Sequence, residues 1–160
     1  MTRNVDTRCR VRVLLLVVLV ALAACGDETS PEDQIRTLVA TLQDAANDRD
    51  LDTLREAVAD SYADPRGNTR RDIDRIVVSQ MLRGQPYVLL RVQELAITEP
   101  DSASVTLLAG LARVPTGGFE EMRRASADIY VFDLELRSAD DRWQVTSARW
   151  RPAQAEDLSL

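Results

Sequence analysis

The chain has 160 residues, no His, and 26 acidic against 20 basic residues, for a formal net charge of −6. This length suffices for one small domain. Every basic residue is Arg, so Schiff-base lysines and histidine-dependent triads are excluded, and the acidic balance disfavours nucleic-acid binding.

The first 24 residues have the order of a secretory signal: a basic segment, a short apolar run and then small residues. The apolar run, Val13–Ala24, is shorter than the roughly 20 residues of a membrane-spanning helix. It ends in Leu22-Ala23-Ala24-Cys25, which closely resembles the lipobox of bacterial lipoproteins. The resemblance implies cleavage before Cys25 and a lipid on its thiol. The alternative is an uncleaved signal anchor with an incidental cysteine.

Cleavage at this point would define a signal peptide (1–24), a lipidated tether (25–30) and a mature chain with a net charge of −9. Cys9 would be lost and Cys25 acylated, so the mature domain would have no disulfide and no cysteine metal ligand. The lipid implies a location in the bacterial cell envelope, facing the periplasm. Because Gly26 rather than Asp follows the cysteine, we expect delivery to the outer membrane.

Three helices are predicted after the tether. Pro31 suits a first helical position, and a one-sided apolar stripe predicts a helix over 31–47 that forms the centre of the core. A shorter helix follows Asp50, and a Pro- and Gly-containing loop over 62–68 ends it. Thr69 is a plausible cap for a third helix that ends near Gly84. We expect an inner face on this helix at Ile73, Ile76, Val77, Gln80 and Met81.

From Tyr87 onward the apolar period is two, which predicts four antiparallel strands with a helical turn within 115–124. In the first and last strands the apolar phase slips, after Val92 and after Val145, as a β-bulge would cause. Residues 152–160 are predicted to be a frayed polar tail. The fold class is therefore α+β, with helices packed on one face of a strongly bent four-stranded sheet that forms a cone.

This element order resembles the nuclear transport factor 2-like (SnoaL-like) superfamily over residues 31–151. The resemblance is carried by Ser61-Tyr62-Ala63-Asp64, by the strand 127–134 and by the ending 142–150. Members include isomerases, cyclases and dehydratases as well as ligand carriers and interaction modules, so the fold implies little about activity. Their sheets often pair face to face, which implies a homodimer as one arrangement.

The superfamily's proton-transfer enzymes resemble ketosteroid isomerase, and here Asp128 with Tyr130 is the candidate pair. Asp128 shares a strand face with Tyr130 and Phe132, and a carboxylate facing an apolar interior must be paired or shift its pKa. The alternative is a structural ion pair between Asp128 and Arg149 or Arg151 across the last hairpin, and we favour it.

The other candidate residues have simple structural explanations. Tyr62 and Asp64 can organise the loop before Pro65, while Trp143 and Trp150 can be core residues or line a ligand pocket. Arg149 is a further candidate binding residue. No phosphate loop, zinc spacing or calcium loop is present, so no cofactor or metal is expected.

We therefore predict a lipid-anchored, non-catalytic domain that binds a small apolar ligand or a protein partner. A small isomerase or dehydratase using Asp128 and Tyr130 is the alternative, and a homodimeric structural protein is a third hypothesis.

Overall fold

The structure is a computed structural model and describes residues 29–84, 86–124, 127–140 and 142–158. The predicted signal peptide and Cys25 lie outside these residues, and Pro31–Leu160 forms one compact unit. Its helices are α1 (Pro31–Asp48), α2 (Leu51–Glu56), α3 (Arg70–Arg83) and α4 (Phe119–Arg124). Its strands are β1 (Tyr87–Glu99), β2 (Ser102–Ala112), β3 (Asp128–Ala139) and β4 (Arg142–Pro152), followed by a 3₁₀ turn at Ala155–Leu158. The predicted α+β class and element order are confirmed.

Side chains at the helix starts explain where α2 and α3 begin. The Asp50 carboxylate accepts hydrogen bonds from the backbone N–H groups of Asp52 and Thr53. Thr69 and Asp72 form a capping box, in which each side chain bonds the other residue's backbone. Such caps satisfy N–H groups that have no partner within the helix.

The four strands pair in the order β1-β2-β3-β4, and every pair is antiparallel. The β1–β2 register shifts between Val92 and Glu94, so Gln93 is an extra residue. The β3–β4 register shifts so that Thr146 is extra in the same way. Both positions are where the sequence predicted a slip, and the bulges bend the sheet around α1.

The concave face of the sheet holds the main core against α1. Ile35 is completely buried and Val39 nearly so, whereas Leu38 packs at the edge of the same cluster. The sheet contributes buried residues from β2, β3 and β4, namely Ala103, Val105, Leu107, Leu134, Leu136, Trp143 and Val145. This confirms α1 as the core helix.

Part of each open edge of the sheet is bonded by the helical half. On β1, Asn47 exchanges two bonds with the backbone of Val88, and Gln43 accepts one from the N–H of Leu90. On β4, the segment after α2 pairs with Val145 and Thr146 through backbone groups. These bonds satisfy edge backbone groups that would otherwise have no partner in the sheet.

A short fourth helix covers part of the convex face, in addition to the predicted helices on the concave side. Helix α4 lies there, with Met122 fully buried and directed at Gly110. The prediction that residues 152–160 form a frayed tail is wrong for residues 155–158. The Asp157 carboxylate binds the Arg151 guanidinium, and the Asp157 carbonyl accepts a bond from Gln93 of β1.

The predicted inner face of α3 is wrong at two positions. Ile76 is 39% exposed and Gln80 is exposed, while Ile73, Val77 and Met81 are half-buried. Helix α3 packs near its start, where Arg55 of α2 bonds Asp74.

Candidate functional site

A tight loop between α2 and α3 is organised by the Asp64 carboxylate. Among the described residues, Asp64 is the one charged residue that the fold buries. One of its oxygens accepts bonds from the backbone N–H groups of Arg66 and Asn68, each at 2.9 Å. The other accepts from Asn68 Nδ2 at 2.8 Å and from the Tyr62 hydroxyl at 3.4 Å. The loop role proposed for this pair therefore agrees with the observed bonds.

The pKa values of Asp64 and Tyr62 are shifted in opposite directions. Burial acts to raise the pKa of Asp64, but the hydrogen bonds from Asn68, Arg66 and Tyr62 outweigh it and lower the pKa. Burial, together with the neighbouring Asp64 charge, raises the pKa of Tyr62 to about 12. Asp64 is thus an ionised anchor and Tyr62 a neutral donor, rather than a base and an acid.

The ordered loop places Arg66 against the last strand. The Arg66 guanidinium lies 4.3 Å from the centre of the Trp150 ring and donates a bond to the Trp150 carbonyl at 3.0 Å. Trp150 in turn stacks on Phe132, with ring centres 6.0 Å apart and planes at 22°. Because Arg66 and Trp150 are 84 residues apart in sequence, no local pattern could have identified this contact.

Burial on the concave face decreases along the strands. On β3 and β4 the concave-face residues near the hairpin turn are buried, and those at the other end, where β3 begins, are half-buried. At this open end, Tyr130, Phe132 and Trp150 are half-buried on the concave face, and we call these three residues the aromatic floor. Half-burial leaves these three side chains partly accessible, and ligand sites are lined mostly by apolar and aromatic side chains.

The predicted ion pair of Asp128 is wrong. Asp128 lies at the exposed start of β3, opposite Leu111 of β2. The β3–β4 register places Arg149 opposite Asp133, and the Arg151 side chain is engaged by Asp157. The hairpin therefore ends before Asp128 can face either arginine. Asp128 does lie on the strand face of Tyr130, as the alternation predicted.

The structure separates the remaining candidate residues. Tyr62, Asp64 and Trp150 meet near the aromatic floor, through Arg66. Trp143 is buried at the opposite end of the sheet, where its indole N–H donates to Gln34. The Arg149 side chain is exposed. Its two neighbours in β4 face the concave side of the sheet, so Arg149 faces the other side. The predicted set is therefore not one site.

Three further observations concern the rest of the described residues. A shallow groove of about 30 Å³ runs between α2 and α3, lined by apolar residues around the Arg55–Asp74 pair. Within the described ranges, no cluster of three or more acidic, His or Cys side chains could hold a metal ion. Over the same ranges, no helix is long and apolar enough to cross a membrane.

No protein-family model and no curated protein matches the sequence. Solved structures do match. A nuclear transport factor 2-like protein of unknown function from Shewanella oneidensis MR-1 is 18% identical, with a TM-score of 0.61 over 76% of this chain and 98% of that one. A nuclear transport factor 2-like protein with a cystatin-like fold from Novosphingobium aromaticivorans is 15% identical, with a TM-score of 0.59 over 97% and 93%. A ketosteroid isomerase-like protein from Erwinia carotovora atroseptica SCRI1043 is 16% identical, with a TM-score of 0.57 over 76% and 95%.

The fold is therefore the cone-shaped α+β fold of nuclear transport factor 2-like proteins. Identities below 20% extend this conclusion to the fold and no further.

Proposed function

We propose that this chain is a lipid-anchored protein of the bacterial cell envelope whose domain binds an apolar small molecule at the aromatic floor, without catalysing a reaction. The observation that carries the proposal is the stacked, half-buried Phe132–Trp150 pair on the concave face. Ligand sites are mostly apolar, with a few polar groups that orient the ligand. The Arg66 guanidinium, which lies against Trp150, and the hydroxyl of Tyr130, within the floor itself, are polar groups of that kind.

The environments of the Asp64 and Asp128 carboxylates support binding rather than catalysis. A general base needs a pKa near the working pH and access to substrate. The pKa of Asp64 is lowered and its oxygens are occupied by four hydrogen bonds. Asp128 is exposed to solvent at the start of β3. The isomerase or dehydratase alternative would have to use Asp128 beside Tyr130 in that exposed position.

The anchoring part of the proposal rests on the sequence Leu22–Cys25 and on the abrupt change to polar residues after it. An acyl chain contributes about 0.8 kcal/mol per buried methylene, so the several chains of a lipidated cysteine hold a protein firmly. The outer membrane, facing the periplasm, is the proposed destination.

Tryptophan fluorescence tests the binding proposal. The chain has two Trp residues, so Trp143→Phe leaves Trp150 in the floor as the single reporter. We expect the apolar dye N-phenyl-1-naphthylamine to quench Trp150 saturably in a chain that begins at Thr29. In this background Phe132→Leu should weaken dye binding about tenfold, since a stacked aromatic contact contributes up to about 1.5 kcal/mol.

Leu82→Ala is the matched control, because Leu82 is an apolar residue that is 82% exposed and lies outside the floor. Equal dye affinity in the Phe132→Leu and Leu82→Ala proteins, with both folded by circular dichroism, would show that the floor is not the binding site.

A further inference from the structure

The guanidinium of Arg66 is held in place at the margin of the aromatic floor. Its Nη2 atom donates to the Trp150 carbonyl, and the group lies over the Trp150 ring. The backbone of Arg66 is fixed as well, since its N–H bonds the Asp64 carboxylate. Trp150 belongs to β4, an edge strand of the sheet, so Arg66 lies where the floor meets solvent. Because Arg66 is itself exposed, a molecule on the floor reaches it without any opening of the fold.

Most of the hydrogen-bonding capacity of this guanidinium is unused. An arginine side chain has five N–H donors, and among the residues described the Arg66 side chain makes its hydrogen bond to Trp150 alone. No ion pair in the described part of the chain includes Arg66, although five other arginines form one. The charge of Asp128 is remote, because Asp128 precedes Phe132 by four residues along β3, about 13 Å at 3.3 Å per residue.

The contact with Trp150 positions the guanidinium without consuming its donors. An aromatic ring attracts a cation through its π face, and this contact does not use the N–H groups that point away from the ring. Two such N–H groups of one arginine bind both oxygens of a carboxylate in parallel. Because Trp150 and the loop already hold Arg66, little side-chain freedom remains to be lost when an anion binds.

We propose that Arg66 binds the carboxylate of a ligand whose apolar part lies on the aromatic floor, so that the ligand is an apolar monocarboxylic acid. This inference rests on the proposed function and adds to it the charge of the ligand and the residue that selects that charge. One guanidinium without an acidic partner matches one negative charge. The apolar part lies against Phe132, on the inner side of Trp150, while the carboxylate stays at the exposed margin, where its desolvation costs little.

Competition between two ligands of equal chain length and different head group tests this assignment. Octanoate and 1-octanol each displace N-phenyl-1-naphthylamine from a chain that begins at Thr29, and dye fluorescence gives the two inhibition constants. This chain contains the whole compact unit Pro31–Leu160 and needs no detergent, which would dissolve the dye. The ratio of the octanol constant to the octanoate constant is the readout, because a change in the floor alone alters both constants together. Arg66→Gln should lower this ratio about fivefold, which is the upper end for an exposed ion pair.

Two further variants locate the effect. Arg66→Lys keeps the charge but loses the bidentate geometry, so its ratio should fall between those of the unaltered chain and Arg66→Gln. Arg137→Gln is the matched control, since it removes the same charge from an exposed residue of β3 on the convex side, and it should leave the ratio unchanged. The loop should survive Arg66→Gln, because Asp64 binds the backbone N–H at this position and not the side chain. Circular dichroism of each variant checks that it is folded.

The outcomes separate this inference from the function on which it rests. Saturable dye binding with the same ratio in the unaltered and Arg66→Gln proteins would mean that the floor binds ligands without selecting their charge, and the carboxylate site would be refuted. Equal weakening of both ligands in Arg66→Gln would mean that Arg66 only supports the floor, and this too would refute the site. Absence of dye binding in the unaltered chain would contradict the proposed function itself, and the inference with it.

Discussion

The carboxylate of Asp64 shows how one charged residue can hold the proposed binding surface in place. Its bonds to Asn68 and Arg66 determine the path of the loop, and the loop in turn places the Arg66 guanidinium on Trp150. A buried carboxylate is tolerated here because donors surround it. The position of Arg66 at the aromatic floor therefore depends on the Asp64 carboxylate.

This dependence predicts the effect of Asp64→Ala. The change leaves two backbone N–H groups and the Asn68 amide without their acceptor, so the melting temperature should fall at pH 7. The pKa of Asp64 is lower in the folded protein than in the unfolded chain, where it is about 3.9. Its contribution to stability is therefore present above pH 4 and is lost as the pH falls further toward the folded pKa. Thermal melts between pH 7 and pH 3 should show the variant and the unaltered chain converging.

Asp60→Ala is the control for this prediction. Asp60 pairs with Arg70 in the same region, but its side chain is 91% exposed, so its removal should have little effect at any pH. An Asp64→Ala protein that melts like Asp60→Ala at pH 7 would contradict the anchoring role.

Among the elements, α1 combines two functions. Its apolar stripe fills the concave face through Ile35 and Val39, and its polar residues Gln43 and Asn47 satisfy the backbone of the edge strand β1. The stripe is visible in the sequence. The edge contacts are not, because they join residues more than 40 positions apart.

Within this stripe the structure shows which residue contributes most. Ile35 is completely buried, whereas Leu38 and Leu42 are half-buried. We expect Ile35→Ala to reduce the free energy of unfolding by about 2–5 kcal/mol, as for other buried aliphatic residues, and Leu38→Ala or Leu42→Ala to cost less. Urea denaturation of the three variants measures the order. A midpoint for Ile35→Ala above that of Leu38→Ala would contradict the assignment.

Helix α4 packs on the sheet where Gly110 leaves room for it. A methyl group at Gly110 would overlap the sulfur of Met122 and press on Phe119. Gly110→Ala should therefore cost about 1–3 kcal/mol, as overpacking usually does. Gly84→Ala is the control, since Gly84 has open space around it. Equal denaturation midpoints for the two variants would mean that α4 is not seated as described.

At the level of the whole molecule, α1 runs from the buried end of the sheet to its open end. Gln34, near the start of α1, bonds Trp143 at the buried end of the sheet, and Asn47 bonds Val88 at the open end. An 18-residue helix is about 27 Å long. One helix therefore contacts both ends of the sheet.

The anchor itself is tested by Cys25→Ser. Without the thiol there is no site for the lipid, and we expect an uncleaved precursor that carries no acyl chain. Metabolic labelling with a radioactive fatty acid, together with the size of the product, measures both outcomes. Cys9→Ser is the control, since Cys9 lies within the predicted signal peptide. A Cys25→Ser protein that is still processed and acylated would exclude the lipobox interpretation.

The periodicity of apolar residues was sufficient to predict most of the architecture. The stripe of α1, the cap at Thr69 and the phase slips after Val92 and Val145 are local signals, and each corresponds to the element or bulge observed. These signals are strong because burial on one face imposes a period of 3.6 or 2 on the chain itself. The order of these predicted elements indicated the nuclear transport factor 2-like fold.

What only the tertiary structure decided was which distant residues meet. Strand alternation placed Asp128 on the face of Tyr130 but could not show that β4 ends before reaching it. The contacts of Arg66 with Trp150 and of Asp157 with Arg151 both depend on register and on the crossing of elements. A difference of two or three residues in register moves a charge from an ion pair into solvent, and no local pattern encodes that difference.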